Sequence, residues 1–252
     1  MLRTPLLTPQ HLEEYQRDGF VIERRAFSDA DMKQIESWTT ELASRPEEPG
    51  KHWVYHEKSK LNPEVELINR IEYISPFHEG FAELANVIKK PVAQLLGEEA
   101  VLFKEKINFK MPGGDGFKPH QDSQAGWEDY AKYFISVMVC IDEATIENGC
   151  LQLVAGHQDR GLYREWEPLT DEDMADMEFV HYPAKPGDVV FFDCYVPHAS
   201  EPNLTNKIRR MYFATYNRLS EGYHLDRYYA DKRKNFPPDI ERVPGKEYVF
   251  RV

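Results

Sequence analysis

Two spacings of apolar and polar positions divide the chain. Up to about residue 97 the spacing is mostly helical; from about residue 101 it becomes the short alternation of strands. "TPQHLEEYQRDG" predicts a helix, with Thr8 as N-cap, Pro9 in the first turn and Gly19 as terminator. "FVIERRAF" follows as a strand, and "SDAD" offers a capping box, Ser28 with Asp31, opening a helix to about Ala43. "RPEEPGK" is a loop. "EVELINRIEYI" fits either a strand or the approach to the next helix, and "FHEGFAELANVIKKPVAQLLG" is helical, broken or kinked at Pro91 and ended by Gly97.

Beyond residue 101, "VLFKEKINFKM", "YFISVMVCID", "CLQLVAG", "DVVFFDC" and "RRMYFATYNRL" read as strands, punctuated by Gly, Pro and Asn. Many short strands at this spacing predict a sandwich or barrel. The acidic "EWEPLTDEDMADME" reads as an insertion, a helix or a lid. Helices followed by a β-core predict an α+β protein. We expect a single domain over 1–252: a helical part at about 8–97, a core at about 101–220 and a tail at 221–252 that wraps the core or contacts a partner.

Bulk properties narrow the function. The formal net charge of −12 argues against a general nucleic-acid binder, which needs a basic surface to neutralise phosphates. No apolar run approaches a membrane span, and "MLRTPLLTPQ" lacks the apolar length of a signal peptide. Cys140, Cys150 and Cys194 are an odd number without a C-x-x-C pair, which suits the cytoplasm better than a disulfide framework or a zinc ribbon. Any metal is therefore expected on histidine and carboxylate.

The stretch "GFKPHQDSQAGW" holds such a pair. His120 and Asp122 stand two positions apart, and in a strand such side chains share a face. Alone the pair reads more readily as a surface strand end than as a metal site. "KPGDVVFFDCYVPHAS" adds His198 after another strand and turn; two histidines and one carboxylate with open coordination positions are the ligand set of non-heme Fe(II) oxygenases. If the electrons come from a keto acid, its far carboxylate needs a cation that stays charged. Arg209 and Arg210 follow on the next strand, where only one can face inward.

In order and spacing, "YQRDGFVIERRAFS", "HQD", "IDEATIENGCLQLVAGHQ" and "KPGDVVFFDCYVPHAS" resemble the phytanoyl-CoA hydroxylase family of Fe(II)/2-oxoglutarate dioxygenases, over roughly residues 10 to 220. The resemblance implies a double-stranded β-helix (jelly-roll or cupin-like) core with the N-terminal helices packed on one sheet. It implies His120, Asp122 and His198 as catalytic metal ligands for Fe(II), with Arg209 and Ser200 binding 2-oxoglutarate and O₂ as second co-substrate. "AGHQ" departs from the family's usual strand end and leaves the role of His157 open. Halogenating relatives lack the carboxylate that Asp122 supplies, so hydroxylation or a related oxidation is the implied outcome.

On "KEKINFKM", Lys104, Lys106, Asn108 and Lys110 share one face, which is either a solvated surface or a cavity lining near the metal. A basic lining would select an anionic substrate. Lys106, Asn108, Gln124 and Tyr133 are the candidate substrate-lining residues; Trp127, Tyr130 and Tyr133 form a further wall or simply pack. "INFKMPGGDGFKPHQDSQAGW" is similar to the branch that hydroxylates organophosphonates such as aminoethylphosphonates; amino-acid, acyl or natural-product substrates are the rivals. The implied partner is a small molecule, with neither nucleic acid nor membrane, and the pattern is silent on oligomeric state. A non-catalytic binding module and a zinc hydrolase are the alternatives of other classes; the latter has no need of Arg209. His52 and His56, four apart in "KHWVYHE", are surface histidines or one face of a helical lid.

Overall fold

The computed structural model describes residue 2 and residues 4–248. Three helices form where their capping residues stand. α1 (Pro9–Asp18) starts as the Thr8 hydroxyl accepts the His11 amide, and it stops at Gly19, whose φ of 82° is left-handed. After β1 (Phe20–Glu23), Ser28 and Asp31 close the capping box of α2 (Asp29–Ser44). α3 (Glu79–Leu96) runs through Pro91 unbroken. Its buried stripe of Phe81, Leu84, Ile88 and Val92 outweighs the one backbone bond that proline removes.

"KHWVYHE" is a strand and not a helix: β2 (Trp53–Lys58) buries Trp53, Val54 and Tyr55, aromatic and β-branched residues that suit a pleated surface. The undecided "EVELINRIEYI" is β3 (Glu66–Glu72), because it finds backbone partners on both sides, in β2 and in β4 (Ala100–Lys110). The remaining strands are β5 (Phe117–His120), β6 (Phe134–Cys140), β7 (Leu151–Leu153), β8 (Val180–Tyr182), β9 (Val189–Asp193), β10 (His198–Ser200) and β11 (Arg209–Arg218). They pair antiparallel in a seven-stranded sheet, β1-β9-β6-β11-β4-β3-β2, and a four-stranded sheet, β5-β10-β7-β8.

Each face of the larger sheet has its own core. Outward, Phe103, Ile107, Tyr212 and Tyr216 pack with Phe81, Leu84 and Ile88 of α3. Inward, Phe20, Met138, Val190, Phe192 and Met211 meet Leu151 and Leu153 of the smaller sheet. The result is the expected α+β arrangement, two facing sheets with helices on one of them.

Two segments differ from expectation. The acidic insertion forms neither helix nor strand. It is a series of turns held by Arg164 on Asp173 and Arg160 on Asp176, and it docks through backbone bonds from Trp166 to Gln124 and from Leu169 to Pro119. The tail contains a fourth helix, α4 (Leu225–Asn235), which buries Leu225, Tyr228 and Tyr229 and packs on β4; positions 249–252 of that tail lie outside the described residues. Among the described residues no helix is long and apolar enough to cross a membrane.

Candidate metal centre and the cavity around it

β5 ends at His120 and β10 begins at His198, and the antiparallel register sets these residues opposite each other. Their rings lie 4.2 Å apart, centroid to centroid. Asp122 opens the short turn after β5. Between the two, Gln121 points the other way and pins the loop: its amide nitrogen donates to the carbonyls of Gly161 and Tyr195, and its oxygen accepts the Tyr163 amide. The loop is thus fixed by one residue so that its neighbours can converge.

Both imidazoles are oriented from behind. His120 Nδ1 lies 2.7 Å from the Lys118 carbonyl and His198 Nδ1 lies 3.0 Å from that of Val196. A carbonyl only accepts, so each Nδ1 carries the proton and each Nε2 presents a lone pair. Asp122 Oδ2 accepts the Ser136 hydroxyl at 2.5 Å, and Ser136 in turn meets Thr215 at 3.2 Å. Oδ1 is left facing His198 Nε2 at 3.9 Å. One ligand atom from each of the three residues lies within 4.8 Å of the others.

Charge states match this geometry. Burial, and then the neighbouring His198, hold His120 well below the usual histidine value, and burial lowers His198 as well. Burial would raise Asp122, but His198, Lys104 and Lys106 more than offset it and keep the carboxylate ionised. Two neutral imidazoles and a carboxylate suit a borderline divalent cation such as Fe(II) and leave part of its coordination sphere open.

Arg209 stands at the start of β11, opposite Lys110 of β4. It is buried, its Nε has no hydrogen-bond partner, and burial lowers it to about 10. A buried guanidinium in this state is costly unless an anion comes to meet it. Arg210 faces away, forked on Asp142 at 2.7 and 2.8 Å and reaching Glu36 of α2. The Ser200 hydroxyl accepts from Lys110 Nζ at 2.8 Å, and Lys110 also donates to the Glu201 carbonyl.

The polar face of β4 points inward. Its register partners Met211 and Phe213, and their partners Cys140 and Met138, belong to the core between the sheets, whereas Ile107 and Phe109 belong to the outer core. A solvated lysine face is thereby ruled out, and Lys106 and Asn108 point between the two sheets. Gln124 is engaged elsewhere: it is fully buried, with its oxygen on the Gln121 amide and its nitrogen on the Glu167 carbonyl. Tyr133 bonds to Tyr15 and Asp193 at the α1 end of the sheet. His56 sits between Glu47 and Asp239, remote from the triad in its contacts. His157, left open by the sequence, meets Tyr163.

The sequence pattern gives little sign of several residues that the fold brings near the site. Ser136 carries no local signal, because its role depends on β6 lying across from the metal loop. Arg70 and Glu72 of β3 were masked by the undecided assignment of that strand. Lys110 was visible as part of the lysine face, but only the fold takes it to Ser200.

Residues 15–211 match the family described as phytanoyl-CoA dioxygenase (PhyH). The chain belongs to this family. Among curated relatives it is 40% identical over 245 residues to a 2-aminoethylphosphonate dioxygenase from an uncultured bacterium, covering 96% of this chain and 93% of the relative. It is 36% identical over 234 residues to a methylphosphonate hydroxylase from Gimesia maris, covering 91% and 88%. Among solved structures, EctD from S. alaskensis with 2-oxoglutarate and 5-hydroxyectoine superposes with a TM-score of 0.72 at 22% identity, covering 88% of this chain and 84% of that one. Family membership makes the chain an oxygenase with the double-stranded β-helix fold, and its His-Asp-His cluster fits iron.

Proposed function

We propose that this protein is an Fe(II)- and 2-oxoglutarate-dependent hydroxylase of a small organophosphonate. His120 Nε2, Asp122 Oδ1 and His198 Nε2 would hold the iron. Once bound, Fe(II) supplies O₂ activation coupled to oxidative decarboxylation of 2-oxoglutarate. Everything else is the work of the chain. Arg209 offers a planar fork to the far carboxylate of 2-oxoglutarate, with Ser200 and Lys110 beside it. The Ser136 hydroxyl holds Asp122 in its ligating orientation. The facing sheets exclude water from the cavity, and the basic face of β4 attracts an anionic substrate.

One observation carries this assignment: the buried Arg209, whose Nε has no hydrogen-bond partner, stands opposite Lys110, and Lys110 reaches Ser200, two positions from His198 on β10. A zinc hydrolase would have no use for that arginine. The phosphonate comes from the names of the two curated relatives given above, and the lysines of β4 agree with it. The three free, buried cysteines accord with a reducing cytoplasm.

Anaerobically Fe(II)-loaded protein, given O₂ and 2-oxoglutarate, is expected to form succinate faster with an alkylphosphonate or aminoalkylphosphonate. His120→Ala and Arg209→Ala should abolish the stimulated rate. Iron-loaded protein that forms no succinate with any phosphonate would overturn the proposal.

A further inference from the structure

Among the described residues, Lys104 and Lys106 find neither a hydrogen bond nor an ion pair. Lys104 Nζ lies 4.2 Å from the ring centre of Trp127 and 5.7 Å from that of Tyr228; Lys106 Nζ lies 5.5 Å from those of Phe117 and of Phe213. The carboxylates nearby are committed. Glu72 accepts Arg70 Nε at 2.7 Å and Lys232 Nζ at 2.5 Å. Asp122 is engaged by Ser136 and by its role toward the metal.

The charged groups that bear most on the two lysines are Asp122 and Glu72 on one side, Arg70 and Lys232 on the other. Four basic side chains therefore face two carboxylates, and burial holds Lys104 and Lys106 below the usual lysine value, so their full charge awaits an arriving anion. An Fe(II) ion and a 2-oxoglutarate dianion cancel, so binding them does not supply that anion. Resting on the hydroxylase assignment, which supplies an anionic substrate, we propose that Lys104 and Lys106 form a subsite for a dianionic tetrahedral oxyanion. Its ligand is the phosphonate, or phosphate ester, of the substrate, bound at the end of the β4 ladder opposite Arg209.

The residue types support the division of labour. Arginine is forked to match a planar carboxylate, which suits the 2-oxoglutarate end. Lysines are point charges, and two of them at i and i+2 stand about 7 Å apart on one face of a strand. They can grip different oxygens of a group that spreads two charges over three oxygens. A carboxylate has too few oxygens and a sulfonate too little charge.

The experiment titrates methylphosphonate, methyl phosphate, methanesulfonate and acetate into anaerobic protein loaded with Fe(II) and 2-oxoglutarate, read by calorimetry. The wild type is expected to bind one of the two dianions at least about tenfold more tightly than methanesulfonate or acetate. Methylphosphonate and methyl phosphate tell the two sources apart, and preference for either supports the subsite. Lys104→Met and Lys106→Met should each weaken that dianion about tenfold or more while leaving 2-oxoglutarate affinity within about twofold. Both variants should melt no lower than the wild type, since an unpaired charge is removed and its apolar stem kept. Wild-type dianion affinity in both lysine variants, or methanesulfonate bound equally well, would sink the subsite and leave the hydroxylase standing. A wild type that takes up iron but not 2-oxoglutarate would sink both.

Discussion

The two ends of the β4 ladder treat their buried cations differently. At the Lys110 end, the ammonium is lowered to about 6 by burial first and then by Arg209, so at neutral pH it is largely an uncharged amine between Ser200 and Glu201. At the Lys104 end, Lys232 is paired with Glu72 and so is Arg70, while Lys104 and Lys106 have aromatic rings for neighbours and no carboxylate of their own. Burial lowers Lys104 and Lys106 too, Lys104 well below the usual lysine value, so the two ends differ in their partners and not in whether burial opposes the charge. Lys106 and Lys110 stand four positions apart, about 14 Å of strand, so a single element would present two anion sites with different surroundings.

Glu72 is where this comparison is most easily broken. Glu72→Gln would leave Arg70 and Lys232 without their shared carboxylate in a buried setting, and removing one partner of such a cluster costs about 3–5 kcal/mol. Urea unfolding should show this loss as a lower midpoint with an unchanged slope. Added methylphosphonate should recover part of it, because the ligand then supplies the missing negative charge. A midpoint equal to wild type would mean that the Lys104 end is less tightly balanced than its geometry implies.

The opposite end is tested by Arg209→Leu. A buried charge-assisted fork on a carboxylate is worth on the order of 3 kcal/mol, so 2-oxoglutarate affinity should fall about 100-fold. Methylphosphonate affinity in the iron-loaded protein should hardly change. If both affinities fall together, the ends are not independent sites.

Gly149 sharpens the same end more gently. It has φ 76°, and a Cβ there would stand 2.0 Å from the Glu201 carbonyl oxygen and 3.1 Å from Lys110 Nζ. Gly149→Ala should cost about 2 kcal/mol of stability through the left-handed backbone and the clash together. It should also raise the KM for 2-oxoglutarate while leaving that for the phosphonate alone, and thermal melts with steady-state kinetics check both.

How much of this was legible in the sequence depends on how local each signal is. Thr8, Ser28 and Gly97 act on their own helices, so the first three helices could be placed from their caps. The period of two pairs His120 with Asp122, but β5 stops at His120 and Asp122 opens the turn after it, so the turn pinned by Gln121 makes them converge. Residue types alone suggest His198 as a ligand and one of Arg209 and Arg210 as a carboxylate's partner, but choosing Arg209 and adding Ser200 took the resemblance, since nothing local brings β10 or β11 to β5. Gln124 and Tyr133 misled because a polar side chain near the metal loop looks like lining, whereas their hydrogen bonds go to Gln121, Glu167, Tyr15 and Asp193. β2 and β8 hold strand-forming residues, but each run is short, and only its pairing, β2 with β3 and β8 with β7, settles it as a strand. α4 lacks a side-chain N-cap and owes its place to Tyr228 and Tyr229 packed on β4.

Lys110 gives the smallest and most specific effect. Its value of about 6 in the free protein means that most molecules carry a neutral amine there at pH 7.5. A 2-oxoglutarate carboxylate arriving at Arg209 brings negative charge beside that amine and raises its pKa, since an opposite charge favours the protonated form. Between the free-protein value and the bound-state value, binding must therefore take up as much as one proton. The sign follows directly: above pH 6, affinity for 2-oxoglutarate weakens as pH rises, because the proton that strengthens binding becomes scarcer. Calorimetric titration of 2-oxoglutarate into iron-loaded protein, repeated in two buffers of different ionisation enthalpy, counts the protons. Lys110→Met should abolish the uptake and flatten the pH dependence. Lys104→Met and Lys106→Met should leave both intact, because those lysines belong to the other end. Proton uptake that survives in Lys110→Met would assign the titrating group elsewhere and erase the contrast between the two ends of the strand.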